Sequence, residues 1–91
     1  MEFEWDEHKR QQNIAKHGVD FAMARQLFST EITIIPDDRI SKDYGEDRWI
    51  AGGLIGEQFY ICVFTLRSEV VRVISMRRGN RREKNRFGFD Q

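Results

Sequence analysis

The sequence has only one cysteine, only one proline and no net charge. The shortage of cysteine excludes a protein held together by disulfides or cysteine-bound metals, and the shortage of proline argues against a disordered chain. A lone Cys62 cannot form an internal disulfide or a cysteine metal cluster, and its apolar surroundings predict a buried thiol. Sparse proline and glycine exclude a disordered tail. No apolar run approaches the roughly 20 residues of a membrane span, and the N-terminus lacks the apolar core of a secretory signal. We therefore expect one soluble, cytoplasmic domain over residues 1–91.

The zero net charge conceals a strong asymmetry along the chain. Residues 1–65 contain seven basic and twelve acidic side chains, whereas residues 66–91 contain eight basic and three acidic ones. Clustered arginines favour phosphate binding, because the planar guanidinium matches phosphate geometry and because phosphate contacts dominate nucleic-acid affinity. The alternative is a solvated charged surface that pairs with acids elsewhere, and charge alone does not separate the two.

Two helices are predicted in the N-terminal part of the chain. Asp6 is a good N-cap for a helix over 6–17, and Gly18 is expected to end that helix in the left-handed conformation. Asp20 can cap a second helix over about 21–28, whose apolar side chains recur at helical spacing and should face the core.

A sheet is predicted in the middle of the chain. Residues 2–5 alternate in polarity and suggest a short extended segment. Four strands are expected further on, at about 32–35, 48–55, 58–66 and 70–77. The last three strands are joined by two short turns, which force antiparallel pairing, and the whole is expected to form a four-stranded antiparallel meander. The polar residues 36–47 are expected to form a surface loop.

A short helix is predicted at the C-terminal end. Asn80 and Glu83 have the spacing of a capping box, which predicts a helix over about 81–87. The expected fold is therefore α+β, with two N-terminal helices, a four-stranded antiparallel sheet and a short C-terminal helix. Strand alternation places Arg77 on the same face as Ser75 and Val73.

Three blocks of the sequence resemble the BrnT toxin family. They are Trp5-Asp6-Glu7-His8-Lys9 with Asn13 and Lys16-His17-Gly18-Val19-Asp20-Phe21, then Tyr44-Gly45-Glu46-Asp47-Arg48, then Arg72-Val73-Ile74-Ser75-Met76-Arg77-Arg78 with Asn80-Arg81-Arg82-Glu83. The resemblance implies a RelE-like fold and a metal-independent endoribonuclease toxin, without a cofactor, that inhibits translation.

The resemblance also implies a partner. A type II toxin is held inactive by its antitoxin, here a BrnA-like ribbon-helix-helix protein that would bind the operator DNA. The stoichiometry, including a toxin dimer within the complex, stays open. Two positions depart from the family pattern. Met76 replaces the usual Ala, and its larger side chain would narrow the groove if it faced outward. Phe87 replaces a frequent Tyr, and without the hydroxyl group it can transfer no proton.

RNA cleavage without a metal needs a base, an acid and cations that stabilise the charged transition state. The resemblance assigns Arg67 and Arg77 to the scissile phosphate, where we expect the two guanidinium groups to converge. His17 and Glu46 are the candidate bases. Alternatively, His17 serves only the helix C-terminus, and Glu46 only pairs with Arg48.

Further polar and aromatic side chains are candidates for RNA binding: Lys9, Lys16, Tyr44, Arg48, Ser75, Arg78, Arg81 and Arg82. Lys9, Asn13 and Lys16 have helical spacing and predict a polar stripe along the first helix. A solvated helix face, a tyrosine that anchors its loop and a serine bonded to the backbone are the alternatives.

A second functional interpretation uses the same basic face. A non-catalytic RNA- or DNA-binding module would show salt-dependent binding without any cleavage product. A pure interaction protein is less consistent with the lopsided arginine content.

Overall fold

The structure, a computed structural model, describes residues 1–38 and 47–89 and has the predicted α+β class. Its elements are β1 (Glu2–Trp5), α1 (Glu7–His17), a 3₁₀ turn (Phe21–Met23), α2 (Ala24–Phe28), β2 (Ile32–Pro36), β3 (Trp49–Ile55), β4 (Gln58–Arg67), β5 (Val70–Arg78) and α3 (Arg81–Arg86). Most of the loop predicted over 36–47 lies outside the described residues. Within the described part of the chain, no helix is long and apolar enough to cross a membrane.

The helix ends follow the predicted signals. The Asp6 carboxylate accepts a hydrogen bond of 3.0 Å from the Lys9 amide, and Gly18 ends α1 with a φ of 69°. Asp20 caps the second helical segment by accepting from the Ala22 amide. That segment differs from the prediction, because it begins as a 3₁₀ turn and becomes α-helical only at Ala24.

The sheet has five strands in the order β1-β5-β4-β3-β2. The prediction of a four-stranded antiparallel sheet therefore missed one strand. Strands β2 to β5 form the expected antiparallel meander. The extended segment β1 adds to the edge of β5 as a parallel strand, with Phe3 opposite Val71. Local sequence could not reveal this pairing, because it joins two segments almost seventy positions apart.

An irregularity in β5 reverses the predicted side-chain directions. Val63 pairs with Ser75 and Phe64 pairs with Val73, so Ile74 is an extra residue opposite the step from one pair to the next. Such a bulge breaks the two-residue alternation of a strand. Ser75 and Arg77 therefore lie on the opposite face from Val73, contrary to the prediction that all three share one face.

Each face of the sheet has its own apolar cluster. On the face covered by α1 and α2, here called the helical face, the largest buried side chains include Phe21, Leu27 and Met76. Cys62 is buried there as predicted, and burial raises the pKa of its thiol to about 12. On the other face, here called the groove face, a smaller cluster forms around Phe87 and leaves part of the sheet uncovered.

Asn13 joins α1 to the edge of β5. Its carboxamide nitrogen donates to the carbonyl oxygens of Met76 (2.7 Å) and Val19 (2.8 Å), and its oxygen accepts from the Met76 amide (3.3 Å). The side chain thus pairs with both backbone groups of Met76, as a neighbouring strand would, beyond the point where β1 ends. Asn13 is buried, so it does not belong to the exposed stripe that was predicted for it.

Replacement of Asn13 by Ala should destabilise the protein strongly. A buried polar group left without a partner costs about 1–3 kcal/mol, and this change removes the partner of up to three such groups. We expect the free energy of unfolding to fall by about 2–4 kcal/mol, measured by urea denaturation. The control Gln12→Ala changes an exposed residue of the same helix and should cost less than about 0.5 kcal/mol. A loss for Asn13→Ala as small as that of the control would contradict this account.

Candidate active site

A cavity of about 340 Å³ opens on the groove face between the end of β2, the middle of β5 and α3. We call it the Arg77 groove. Its floor is apolar and is formed by Ile50, Ile61 and Val63. Its polar lining residues are Asp37, Asp38, Ser75, Arg77, Glu83 and Arg86. The groove thus combines an apolar floor, on which a planar group can rest, with walls that carry charges of both signs.

Arg77 forms a bidentate ion pair with Glu83 at the wall of this groove. Its two terminal nitrogens donate to the two carboxylate oxygens, over distances of 3.0 Å and 2.6 Å. Hydrogen bonding to Arg77 lowers the pKa of the Glu83 carboxyl to about 2, so that this group is ionised at any physiological pH. Arg77, the arginine that was predicted to bind a phosphate, therefore binds the planar carboxylate of Glu83 within the protein itself.

Glu83 is in turn fixed by the first turn of α3. Its Oε1 accepts from the Asn80 amide (2.9 Å), while the Asn80 side chain accepts from the Glu83 amide (2.8 Å). This is the capping box that the sequence predicted. The box holds the carboxylate in place from the helix side, and Arg77 holds it from the strand side.

His17 lies at the C-terminal end of α1, close to the arginines at the end of β5. Partial burial lowers its pKa, and the positive charges of Lys16 and Arg77 lower it further. Arg78 approaches the His17 carbonyl oxygen at 3.5 Å. The structure thus brings the end of α1 to Arg78, and the positive charge around His17 favours a neutral imidazole.

Arg67 is not brought to the same point. It lies on the same face of the hairpin as Arg77, but Ile61, the partner of Arg77 in the sheet, precedes it by six positions. That separation corresponds to about 20 Å along a strand. The expected convergence of the two guanidinium groups on one linkage is therefore not supported, and Arg67 is better placed for a neighbouring part of an extended ligand.

The remaining candidates lie on several different elements of the fold. Lys9, Lys16, Arg81 and Arg82 are exposed on α1 and α3. Arg48 is half-buried directly before β3. The predicted roles of Tyr44 and Glu46 fall on positions outside the described residues. In the part of the chain that the structure describes, no three side chains of His, Cys, Asp or Glu lie together as a metal site would require.

Sequence reasoning missed Asp37. This residue is only 2% exposed and lines the Arg77 groove, and its amide donates to the Arg48 carbonyl oxygen at 2.9 Å. Side chains two positions apart in a strand point to the same face, and Ile35 packs on the groove-face cluster. Asp37 therefore points to the groove face as if β2 continued through it. The polar stretch that begins at Pro36 looked like a surface loop and hid this continuation.

Comparison with known protein families provides an independent observation. A sequence model described as the ribonuclease toxin BrnT of type II toxin–antitoxin systems matches residues 5–83, which is most of the chain. The chain belongs to the BrnT toxin family. No curated protein sequence matches it at the level required for a relationship.

Of the two departures from the usual BrnT pattern, only Phe87 lines the Arg77 groove. Met76 is fully buried on the helical face, so it does not narrow the Arg77 groove. Phe87 is 5% exposed and packs against Phe59, with ring centres 5.7 Å apart. A Cβ atom on Gly52 would come within 2.6 Å of the Phe87 ring, so the ring at this BrnT position lies directly on the sheet backbone.

A second, almost wholly apolar cavity of about 390 Å³ lies on the helical face, beside the C-terminal end of α2. We call it the apolar groove. It is lined by Met1, Phe28, Ile32, Ile34, Trp49, Phe64, Leu66 and Val71. Ile34 and Leu66 are about half exposed, at 47% and 54%. Exposed apolar clusters of this kind mark binding surfaces. The BrnT family belongs to type II toxin–antitoxin systems, in which each toxin has an antitoxin as its partner.

Proposed function

We propose that this BrnT protein is a metal-independent endoribonuclease that cleaves RNA at the Arg77 end of the groove and thereby inhibits translation. The observation that carries this proposal is the guanidinium of Arg77 in the wall of the groove, beside Ser75. The end of α1, which carries His17, lies next to it, since the guanidinium of Arg78 is 3.5 Å from the His17 carbonyl oxygen. A base that is neutral near physiological pH and a cation beside it are two of the requirements for cleavage without a metal.

The proposed roles follow from this arrangement. His17 accepts the proton of the 2′-hydroxyl as the 2′-oxygen bonds to phosphorus, and Arg77 stabilises the negative charge that develops on the phosphate. The bond from phosphorus to the 5′-oxygen then breaks, and the leaving oxygen takes a proton from the imidazolium or from water. Ser75 lines the same groove and can donate a hydrogen bond to a phosphate oxygen. Glu46 remains an alternative base from the sequence.

The charge distribution suggests how the RNA strand runs. The groove itself carries acidic side chains beside its arginines, whereas the cationic surplus lies at the end where α1 and α3 meet β5. Lys16, Arg78, Arg81 and Arg82 would bind phosphates on that side, and Lys9 farther along α1. Arg48 and Arg67 would bind phosphates toward the other end of the hairpin. A base can rest on the apolar floor between them, and Tyr44 is proposed to stack on another.

We further propose that the antitoxin is BrnA-like and binds this protein through the apolar groove as well as over the basic surface. A partner segment with apolar side chains on one face would fill the groove beside Ile34 and Leu66, as amphipathic helices do in other complexes. The rest of the partner would carry the acidic charge that complements the arginines. Operator DNA would be bound by the antitoxin.

Cleavage of RNA by the purified protein in EDTA tests the nuclease proposal. We expect cleavage to persist in the chelator and to fall about 10²–10³-fold in Arg77→Gln, because a donor to the transition state is lost. Arg25→Gln is the matched control, since Arg25 lies on α2 over the Phe3 ring, away from the groove face. Binding of RNA without any product would instead support the non-catalytic interpretation.

The pH dependence of cleavage tests the role of His17. Because the pKa of His17 is lowered, the neutral imidazole should persist below its usual value of about 6.5, and the rate should decline only at still lower pH. His17→Gln should abolish this acidic limb and reduce the rate about 10²–10⁴-fold. His8→Gln, on the first turn of the same helix, should leave the acidic limb and the rate of cleavage unchanged. An identical acidic limb in His17→Gln would exclude His17 as the base.

Leu66→Asp tests the apolar groove as the antitoxin surface. A carboxylate buried there without a partner costs several kcal/mol, so affinity for a BrnA-like antitoxin should fall at least about 100-fold. RNA cleavage by the free protein should be retained. Ala22→Asp, which places the same charge on an exposed residue that lines neither groove, should bind normally. Undiminished affinity of Leu66→Asp, measured by titration calorimetry of the separately purified proteins, would contradict the assignment.

A further inference from the structure

We propose that Glu83, which no motif singled out for the reaction, is a positioning residue that orients the guanidinium of Arg77 toward the RNA phosphate. The inference rests on the proposed function, because it assigns Arg77 to that phosphate. Glu83 would not touch the substrate. It would act by holding Arg77 in the one orientation that cleavage requires.

The contacts of Arg77 leave its guanidinium little freedom. Both terminal nitrogens donate to Glu83, and one of them also approaches the carbonyl oxygen of Arg78 at 3.2 Å. An unrestrained arginine side chain has considerable rotamer entropy, which it loses on binding phosphate. In this protein the ion pair restrains the side chain before the substrate arrives, as preorganised catalysis requires.

Glu83 itself is restrained independently of Arg77. The reciprocal hydrogen bonds with Asn80 anchor both its backbone and its carboxylate to the first turn of α3. A negative side chain is also favourable at the N-terminus of a helix. Three elements therefore determine where the guanidinium lies: the end of β5, the capping box and the carboxylate that joins them.

The restrained arginine still faces the groove. Its side chain is 41% exposed, compared with 23% for Glu83, and both residues line the cavity together with Ser75. The carboxylate thus lies on the protein side of the pair, while part of the guanidinium reaches the cavity. A competing interpretation is that Glu83 occupies the place of a phosphate and inhibits the enzyme, in which case its removal would raise activity.

Glu83→Gln separates the two functions of this carboxylate. A glutamine oxygen can still accept from the Asn80 amide, so the capping box is retained. The negative charge and the 2.6 Å bond from Arg77 to the second carboxylate oxygen are lost, so that the guanidinium is no longer held by two bonds. We expect kcat to fall about 10–100-fold, as for a misplaced catalytic group, with KM changed less than about twofold. Glu57→Gln, in the turn between β3 and β4, is the control. An unchanged or increased kcat in Glu83→Gln would overturn the proposal.

A double-mutant cycle shows whether Glu83 acts through Arg77. In an Arg77→Gln background, Glu83→Gln should have almost no further effect on kcat, because the residue that it positions is gone. An equal loss in both backgrounds would overturn the positioning role. Circular dichroism and urea denaturation of each variant would establish that the fold is retained.

Nitrogen NMR relaxation of the Arg77 side chain supplies a readout that does not depend on cleavage. The Nε–H group should be rigid in the unmodified protein and mobile in Glu83→Gln. A mobile Arg77 in an unmodified protein that cleaves RNA would contradict the positioning role. A rigid Arg77 in a protein that cleaves no RNA would contradict the proposed function instead.

Discussion

The arrangement of this molecule depends on one buried carboxamide. By bonding both backbone groups of Met76, Asn13 continues the sheet where β1 ends and fixes α1 along the free edge of β5. The position of α1 determines where its C-terminal end lies, and that end carries His17. Without this contact nothing in the local sequence would bring His17 beside the arginines that end β5.

The bulge at Ile74 has an equally large consequence. Because it adds one residue to β5, Ser75 and Arg77 lie on the groove face while Val71 and Val73 remain on the helical face. A regular strand would place all four side chains on one face. Val71 and Val73, in the first half of β5, thus pack in the core on the helical face. Ser75 and Arg77, in its second half, form part of the wall of the groove.

Much of the fold was predictable from local chemistry. The caps at Asp6 and Asp20, the left-handed Gly18 and the capping box at Asn80 depend on residues within a few positions of one another, so their geometry follows from sequence. The meander from β2 to β5 was also predictable, because its last two turns are too short for any other pairing. The parallel strand β1, the burial of Asn13 and the inward position of Asp37 depend on distant segments and were missed.

The sequence by itself determined that the chain has the features of the BrnT family, that its basic charge is concentrated in the last third, and where most helices and strands begin and end. These properties reside in composition, in motifs and in contacts between near neighbours. Only the tertiary structure decided where the arginines lie: it set Arg77 against Glu83 and Arg78 against the end of α1, and it left Arg67 at the far end of the hairpin. The physical reason is that convergence depends on strand register, on one inserted residue and on where a helix packs, and each of these is settled by the free energy of the whole fold.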